Sequence, residues 1–362
     1  MSVHRVYPDQ YQALLAEKIQ HTQQEFSEFQ APALEVFDSP ASYFRMRAEF
    51  KLWLMDDKAH YAMYEPGTAK KPFIIAEFPI ASPAIVQLMP RMLEALNSSD
   101  VLRERVFQIE FLTATTGDTL VTLIYHRPLG DDWLAAAETV AQKLGISLIG
   151  RSKKQKIVIG RDYINEVFTV ANRRFRYRQV EAAFSQPNAA VCEKMLNWAV
   201  SVSEPLAGDL LELYCGNGNF TLPLSFQFER VMATEISKSS VSTALSNLAE
   251  NAVNNVQVVR MSSEELTQAM EEVRPFRRLE GIDLKAYNFT TLFVDPPRAG
   301  LDPGTLDLAQ RFDNIIYISC NPQTLHRDLA TLIQTHDIQR FALFDQFPYT
   351  DHRECGILLN RR

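Results

Sequence analysis

The amino-acid sequence predicts an α/β protein built from two domains. Its 362 residues exceed the length that a single hydrophobic core usually serves. From about residue 200 onward, apolar runs alternate with helical patterns, which is typical of βαβ units and a parallel sheet. The first half has one opening helix and then short strand-like runs, which favour an α+β domain with an antiparallel sheet. We place the boundary after a basic segment, giving domains 1–180 and 181–362.

Composition and charge exclude several classes of protein. Hydrophobic residues make up 46% and charged residues 22%, as in ordinary globular proteins with a sizeable core. No stretch reaches the ~18 apolar residues of a membrane span, and the N-terminal MSVHRVYPDQYQALLAEK lacks the apolar core of a signal peptide. We therefore expect a cytoplasmic protein with no membrane partner. Because the formal net charge is -7, nucleic-acid binding would need a local basic patch.

The cysteines point away from metal chemistry. Cys192, Cys215, Cys320 and Cys355 form no CxxC pair and have no metal-ligand spacing. We expect no disulfide framework, no metal site and no iron–sulfur cluster, and a reducing compartment.

Each half predicts its own series of elements. The first begins with an amphipathic helix over about residues 8–30, where one face carries Tyr11, Leu14, Leu15, Ile19 and Phe26. The strand-like runs that follow are FRMRAEFKLW, FIIAEFP, VFQIEFLT and LVTLIYH. The second half predicts the strands LLELY, VMATEI, VQVVR, TLFVD, IIYISC and RFALFDQF. Parallel sheets of this kind bind ligands at the carboxyl ends of their strands.

The stretch DLLELYCGNGNFT at 209–221 predicts a strand followed by a ligand-binding turn. Gly216 and Gly218 allow a tight turn and a close approach of the backbone to a ligand. A dinucleotide site would want a third small residue where this chain has Thr221, and this favours S-adenosylmethionine, which has no pyrophosphate. Glu235 ends the next strand, near the ~20-residue distance that places a carboxylate on ribose hydroxyls. The alternative is a strand–turn–helix without a ligand.

A second strand ends in FVDPPRAG, 293–300. Asp295 is expected at the carboxyl edge of the sheet, although it could also be a helix N-cap. Enzymes that methylate exocyclic amines usually have an aromatic residue after Asp/Asn-Pro-Pro, and here Arg298 follows. Arginine suits a substrate oxygen that gains negative charge, such as a uracil carbonyl.

The strand IIYISC ends in a thiol, Cys320. A cysteine in this position is most often a small buried hydrophobic residue. This one should share its sheet edge with Asp295 and the glycine loop, and FDQFPYTDHRECG brings His352 and Glu354 into a polar loop. A thiolate that adds to carbon 6 of uracil makes carbon 5 nucleophilic, and a carboxylate can then remove the carbon-5 proton. We predict Cys320 as the nucleophile and Glu354 as the base, with His352 ranked lower.

Several of these motifs occur together in a known family. DLLELYCGNGNF, FVDPPRAGLD, YISCNP and FPYTDHRECG, with FSQPN at 184–188, resemble the RNA 5-methyluridine methyltransferases in the same order. The similarity is greatest to the bacterial tRNA (uracil-5-) members and extends to FRMRAEF and FQIEFLT. The resemblance implies a Rossmann-like, S-adenosylmethionine-dependent methyltransferase domain preceded by an α+β RNA-binding domain.

The resemblance also implies roles and partners. Cys320 corresponds to the nucleophile and Glu354 to the proton acceptor, and the cofactor contacts are Gln186, Tyr214, Asn219, Glu235 and Asp295. The implied reaction converts the T-loop uridine of tRNA to 5-methyluridine. We expect further substrates among RNAs that carry a T-loop-like hairpin. We also expect the enzyme to be a monomer. Members acting on ribosomal RNA often carry an extra N-terminal barrel and a cysteine-held cluster. This chain has no cysteine before Cys192, which favours tRNA.

RNA would be held by local basic and aromatic residues. Segment 151–178 has nine Lys or Arg against two acids, and a strand over RRFRYR would place Arg174, Arg176 and Arg178 on one face. The alternative is an edge strand protected by charge. Further candidates are a basic set of Arg45, Arg47 and Lys51 together with Phe107 and His126, which match base-stacking positions of the tRNA enzymes but could also be core residues.

Two other functions remain open at this point. One is a ribosomal RNA uridine-5 methyltransferase with the same chemistry, and the other is an RNA-folding or RNA-binding module in which methylation is incidental. A cytosine-5 enzyme is less favoured, since DNA cytosine enzymes attack from a Pro-Cys pair and here Pro297 precedes Arg298.

Overall fold

Short apolar runs form strands and amphipathic runs form helices across residues 5–64 and 72–362, the part of the chain that the computed structural model describes. The strands are β1 (Glu35–Phe37), β2 (Arg47–Met55), β3 (Lys58–Tyr64), β4 (Pro72–Ile74), β5 (Val106–Thr113), β6 (Thr119–Tyr125), β7 (Ser147–Ser152), β8 (Gln155–Ile159), β9 (Tyr163–Val170), β10 (Arg173–Val180), β11 (Asp209–Leu213), β12 (Val231–Thr234), β13 (Val256–Val259), β14 (Phe289–Val294), β15 (Asn314–Ser319), β16 (His336–Phe344) and β17 (Glu354–Arg361). The helices are α1 (Tyr11–Glu25), α2 (Pro83–Asn97), α3 (Asp100–Arg103), α4 (Asp131–Leu144), α5 (Ala189–Ser203), α6 (Thr221–Leu224), α7 (Lys238–Glu250), α8 (Ser263–Met270), α9 (Pro303–Ala309) and α10 (Pro322–Leu332).

The chain divides into two compact units, and it passes between them more than once. The first unit includes Pro40–Val167 and Arg178–Ala189. The second consists of Asp9–Ser39, Phe168–Tyr177 and Ala190–Arg362. The sequence predicted a single boundary at residue 180, but the division is more complex. The N-terminal helix α1, for example, groups with the C-terminal sheet.

The second unit is organised by a mainly parallel sheet with the strand order β1-β16-β17-β15-β14-β11-β12-β13. β11, β12 and β13 follow one another outward, and the chain then returns to place β14 on the other side of β11. The strand order thus reverses between β11 and β14. Open α/β sheets bind ligands in the crevice beside such a reversal, outside the carboxyl ends of the strands.

β17 is the exception to the parallel arrangement that the sequence predicts. It pairs antiparallel with both β15 and β16. Loop 345–353 joins β16 directly to β17 without a helix, and a connection of this kind returns the chain as an antiparallel neighbour. The first residue of β17 consequently lies at the edge where the parallel strands end.

Helix α1 is shorter than the predicted span of 8–30 and is flanked by 3-10 turns at Pro8–Gln10 and Ser27–Phe29. Tyr11 and Leu15 are buried as predicted, but the same face also buries the polar side chains of Lys18 and Thr22. After the helix, the side chains of Phe26 and Phe29 join the core of the C-terminal sheet. This packing explains why α1 belongs to the second unit and not to the α+β domain, where the sequence pattern had placed it.

The first unit is built on a sheet with the order β4-β3-β2-β5-β6-β7-β8. Its neighbours are antiparallel, as predicted, except for β6 and β7, which are parallel because α4 lies between them in the chain. The predicted strand FIIAEFP ends early, since β4 stops at Ile74. β2 alternates strictly along Ala48–Trp53, with Phe50 buried on one face and Lys51 exposed on the other.

β9 and β10 form a separate two-stranded ribbon. In β10, Phe175 and Tyr177 are buried while Arg174 and Arg176 are exposed. Ala171 and Asn172 close the ribbon, both with left-handed backbone (φ 47° and 61°), as a tight hairpin turn requires. The predicted alternation of RRFRYR is therefore the observed one.

Gly356 in β17 has no room for a side chain, because a Cβ would lie 2.9 Å from both Phe344 Cε2 and Trp198 Cζ3. We predict that Gly356→Ala destabilises the protein by about 1–3 kcal/mol, since two buried rings must shift. Gly304→Ala in α9 is the matched control. Its nearest neighbour would be 3.4 Å away, and alanine is favoured over glycine in helices by up to ~1 kcal/mol. Thermal unfolding followed by circular dichroism measures the melting temperature of each variant. Equal melting temperatures for Gly356→Ala and Gly304→Ala would contradict the prediction.

Candidate active site

Three strand ends bring the predicted catalytic residues together. β14 ends just before Asp295 and its parallel neighbour β15 ends just before Cys320. In the antiparallel pair of β15 and β17, Ser319 lies opposite Cys355. Cys320 and Glu354 are the next residues beyond this last pair, and Glu354 is close enough to raise the pKa of the Cys320 thiol. Residues opposite one another in an antiparallel pair have side chains on the same face, with Cβ atoms roughly 5 Å apart.

Hydrogen bonds join the turn after β14 to the turn after β15. The side-chain amide of Asn321 donates to the carbonyl of Arg298 at 2.9 Å, and the hydroxyl of Thr324 donates to the same oxygen at 3.3 Å. Asn321 also caps α10 by accepting from the N–H of Gln323. The N-cap of α9 is Asp302, so the alternative role of Asp295 as a helix cap is wrong.

The carboxyls of this cluster are strongly desolvated. Burial raises the pKa of Glu354 well above its usual range, the nearby Asp295 raises it further, and Arg298 acts in the opposite direction. Burial also raises the pKa of Asp295. Glu354 is 2% exposed, and its Oε1 has no hydrogen-bond partner among the described residues. The protein therefore keeps a carboxyl group at the sheet edge that favours its neutral form and has an unused acceptor.

Cys320 differs from the other three cysteines in accessibility. Cys192, Cys215 and Cys355 are buried, and Cys320 is half-buried. Burial raises the pKa of the Cys320 thiol to about 11, with Glu354 and Asp295 adding to the rise and Arg298 opposing it. The free protein at neutral pH thus holds Cys320 as a thiol, and thiolate chemistry requires that its proton move when a substrate binds.

The glycine loop after β11 is shaped to approach a ligand. Gly216 and Gly218 both have left-handed backbone (φ 56° and 84°), and no atom lies within 4 Å of where a Gly216 Cβ would be. Glu235, at the end of β12, accepts from the N–H of Gly216 at 3.1 Å and from the N–H of Ser237 at 2.7 Å. The predicted association of Glu235 with the glycine loop is present.

The remaining predicted cofactor residues fall in two places. Tyr214 also has left-handed backbone (φ 61°) and donates from its hydroxyl to Ser263 Oγ at 2.8 Å. The Asn219 side-chain amide lies 3.5 Å from Cys192 Sγ, and its backbone carbonyl accepts from the Tyr177 hydroxyl at 3.0 Å. Gln186 is half-buried and belongs to the first unit.

One buried acid at this site was not singled out in the sequence. Glu212 in β11 is 1% exposed, and burial raises its pKa to about 8, with Asp295 as a further contribution. The neighbouring Thr221 hydroxyl opposes that rise in pKa, so Glu212 has a polar partner in the protein. The signal was available, because an acid within the apolar run LLELY must be buried with the strand.

In the first unit, Phe107 and His126 stack on each other with ring centroids 3.8 Å apart and planes 9° from parallel. Phe107 is half-buried and His126 is exposed, so neither is a core residue. The ammonium of Lys51 lies 5.5 Å from the centre of the Phe107 ring. The structure therefore joins two predicted stacking residues and a lysine of the basic set on one surface.

The predicted RNA-binding arginines are not equivalent. Arg47 donates to the carbonyls of Glu181 and Ala183 at 3.0 and 2.9 Å, and Arg45 donates to the carbonyl of Arg47 at 2.8 Å. Burial lowers the pKa of both guanidinium groups. These two arginines hold the backbone of their own unit, which is a structural use that the sequence did not indicate.

Along β10, Arg174 and Arg176 are exposed, whereas Arg178 is half-buried with its guanidinium 5.1 Å from the ring of Tyr163. The exposed pair therefore remains the stronger candidate for contacts with phosphate groups.

The sequence matches a known family over nearly its whole length. The family model described as tRNA (Uracil-5-)-methyltransferase matches residues 10–362. The chain belongs to this family. It is 59% identical over 355 residues to the tRNA/tmRNA (uracil-C(5))-methyltransferase of Ectopseudomonas mendocina (strain ymp), covering 98% of each chain. It is 57% identical over 362 residues to the protein of the same name from Stutzerimonas stutzeri (strain A1501), covering all of both chains.

A solved structure supports the fold. The Pyrococcus abyssi tRNA (uracil-54, C5)-methyltransferase in complex with S-adenosyl-L-homocysteine superimposes with a TM-score of 0.73 at 20% identity, covering 96% of this chain and 83% of that one. The predicted Rossmann-like methyltransferase fold is thereby confirmed. Within residues 5–64 and 72–362, no helix has the length and apolar character to cross a membrane, and no group of three or more His, Cys, Asp or Glu residues is arranged to hold a metal ion.

We predict that iodoacetamide alkylates Cys320 before the three buried cysteines, and about tenfold faster for each pH unit between 7 and 10. The thiolate is the reactive form, and its fraction rises tenfold per unit below the pKa of about 11. Peptide mass spectrometry after timed alkylation measures the rate.

Arg298→Gln should slow the alkylation of Cys320, since it removes the cation that favours the thiolate. Arg311→Gln, which changes another exposed arginine, should not. A rate at Cys320 that did not depend on pH would contradict the prediction.

Proposed function

We propose that the protein is an S-adenosylmethionine-dependent enzyme that methylates carbon 5 of the T-loop uridine of tRNA, giving 5-methyluridine. The observation that carries this proposal is the closeness of the Cys320 thiol to Glu354 and Asp295, at the sheet edge where β14 and β15 end and β17 begins. Membership of the tRNA (Uracil-5-)-methyltransferase family supports the substrate and the reaction. The names of the relatives include tmRNA, and we extend the proposal to RNAs with a T-loop-like hairpin.

S-adenosylmethionine, when bound, supplies the electrophilic methyl group. The residues of the second unit that would hold it are Tyr214, Asn219, Glu235 and Asp295. Gln186, in the first unit, stays a prediction from the family resemblance. The open side of the glycine loop and the buried polar side chains of Glu212 and Thr221 support this assignment. The carboxylate of Glu235 is held by two backbone N–H groups, which fixes it as an acceptor for hydroxyl groups of a ribose.

Cys320 would start the reaction by adding to carbon 6 of the uracil ring. A bond forms between sulfur and carbon 6, and the displaced electron pair moves through carbon 5 to the carbonyl oxygen at carbon 4. The thiol proton passes to the carboxylate of Asp295, and Glu354 enters the reaction in its ionised form, which the nearby Arg298 favours. Arg298 is the nearby cation that can stabilise negative charge on the ring, and carbon 5 becomes nucleophilic enough to accept a methyl group.

Glu354 would finish the reaction as a base. After methyl transfer, carbon 5 carries both a methyl group and a proton, and the ionised carboxylate removes that proton. The double bond between carbons 5 and 6 forms again, and the bond from sulfur to carbon 6 breaks to release the Cys320 thiolate. Because burial raises the pKa of Glu354, its carboxylate is a stronger base than an exposed one.

For RNA binding we propose the stacked pair Phe107 and His126 and the exposed pair Arg174 and Arg176. Sequence-specific proteins usually recognise RNA loops by stacking splayed bases on aromatic side chains, and Phe107 with His126 presents such a surface. The target uridine must leave its own stack to reach Cys320, which costs a few kcal/mol. Arg45, Arg47 and Arg178 are assigned supporting roles, given their contacts within the protein.

The reaction can be tested with two variants that should fail differently. Cys320→Ala should abolish methylation of tRNA and form no covalent complex, while still binding S-adenosylmethionine. Glu354→Gln should add to the ring and transfer the methyl group but not remove the carbon-5 proton, since an amide is not a base. It should therefore remain joined to methylated RNA as a slow band on a denaturing gel.

His352→Gln is the control, because His352 is exposed and should not be needed. Mass spectrometry of the digested RNA identifies 5-methyluridine. Normal turnover by Cys320→Ala would refute the nucleophile, and normal turnover by Glu354→Gln would refute the base.

We predict that Arg174→Gln with Arg176→Gln weakens tRNA binding and reduces the slope of log affinity against log salt by up to about two units, or about one for each lost phosphate contact. Arg274→Gln with Arg277→Gln, another exposed pair in the same unit, is the charge-matched control. Filter binding at several salt concentrations measures both slopes. An unchanged slope in the first variant would mean that these arginines are only solvated.

A further inference from the structure

The N-terminal helix α1 contacts the loop that delivers Glu354 to the sheet edge. That loop, residues 345–353, joins β16 to β17, and Glu354 is the next residue. Four side chains of α1 face it, and their spacing of seven, four and three residues places them on one stripe of the helix. They are Tyr11, Lys18, Thr22 and Glu25.

The first contact holds the start of the loop. The ammonium of Lys18 donates to Asp345 Oδ1 at 2.7 Å and to the carbonyl of Phe347 at 2.8 Å. The Tyr11 hydroxyl donates to Asp345 Oδ2 at 2.9 Å and accepts from the N–H of Ser39 at 2.7 Å. Lys18 is 8% exposed, and burial lowers its pKa while Asp345 opposes that change. Both oxygens of Asp345 are therefore bound by the helix.

The second contact holds the end of the loop. Arg353 donates from one nitrogen to Glu25 Oε2 at 2.6 Å and from another to Thr22 Oγ1 at 3.3 Å. The side chains of Arg353 and Glu25 are only 13% and 24% exposed, so solvent screens the pair less than it screens a surface ion pair. Since Arg353 directly precedes Glu354, this contact fixes the backbone next to the base.

Between these contacts the loop has no regular structure. Its internal bonds centre on Thr350, which donates to the carbonyl of Phe347 at 2.9 Å and accepts from the N–H of His352 at 3.2 Å. Tyr349 has left-handed backbone (φ 64°), which is strained for a residue with a large side chain. The loop thus depends on external contacts for its course, and α1 supplies them at both ends.

A buried ion pair contributes little to stability compared with apolar residues of the same size, because desolvation offsets the attraction. A buried pair does restrict geometry, since its partners must meet at a defined distance and angle. We propose that Lys18 and Arg353 are positioning residues: through them helix α1 holds Glu354 where it can remove the carbon-5 proton of the methylated ring.

This inference rests on the proposed function and predicts a specific kinetic defect. Cys320 follows β15 and the glycine loop follows β11, and neither belongs to the loop that α1 holds. Loosening loop 345–353 should leave ring addition and methyl transfer nearly intact and slow only proton removal. A displacement of about 1 Å at a reacting group can cost up to roughly a hundredfold in rate.

The test compares Lys18→Met and Arg353→Met with the wild-type protein in single-turnover reactions with tRNA and S-adenosylmethionine. Denaturing gels follow the covalent complex. We expect it to form at near the wild-type rate and to decay roughly tenfold to a hundredfold more slowly. Arg353→Lys keeps a cation near Glu25 and should recover part of the decay rate. Glu17→Gln changes an exposed residue of the same helix and should behave as wild type.

Two outcomes would overturn the inference. One is decay at the wild-type rate in both variants, and the other is an equal slowing of formation and decay together with a lower melting temperature, which would indicate general loosening. If either variant does not fold, Glu25→Gln removes the partner charge at the more exposed end and decides by the same readout. If the wild-type protein forms neither covalent complex nor 5-methyluridine, the proposed function fails instead, and the two failures are distinguishable.

Discussion

The site depends on the reversed direction of β17. In an all-parallel sheet, the residue that begins a strand lies at the opposite edge from the residues that end its neighbours. Because β17 returns directly from β16, its first residue, Glu354, comes to lie across from Cys320 at the carboxyl end of β15. The side chains proposed as nucleophile and base thus come from adjacent strands at one edge of the sheet. The two are 34 residues apart in the chain, and register alone makes them neighbours.

The electrostatics of this edge are those of a site prepared for a substrate. Burial raises the pKa of three carboxyl groups, those of Glu354, Asp295 and Glu212. It also raises the pKa of the neighbouring Cys320 thiol. Ionising any of these groups is unfavourable in the free protein. Burying them therefore lowers the free energy of unfolding, a cost that functional sites commonly carry. The same desolvation makes the Glu354 carboxylate a stronger base and lowers the reactivity of the Cys320 thiol at neutral pH.

Arginine takes different roles in different parts of the chain. Arg45 and Arg47 use their guanidinium groups on backbone carbonyls, whereas Arg174 and Arg176 stand out from an alternating strand. Phe107 and His126 stack outside the core and form a planar surface in the free protein. For the base stacking proposed above, such preorganisation would lower the entropy that binding must overcome. Charge alone would not distinguish these cases, because all four arginines lie in basic stretches of the sequence.

The sequence by itself determined the parallel sheet, the glycine loop, the strand ends that carry Asp295 and Cys320, and the alternation of β10. These features follow from local periods of two and 3.6 residues and from the backbone freedom of glycine. Only the tertiary structure decided the antiparallel course of β17, the transfer of α1 to the C-terminal sheet, the burial of Lys18 against Asp345 and the internal use of Arg47. Each of these depends on contacts between residues more than a hundred positions apart or on strand register. Local hydrophobic pattern carries no information on which distant partner will neutralise a buried charge, and that choice is made by packing.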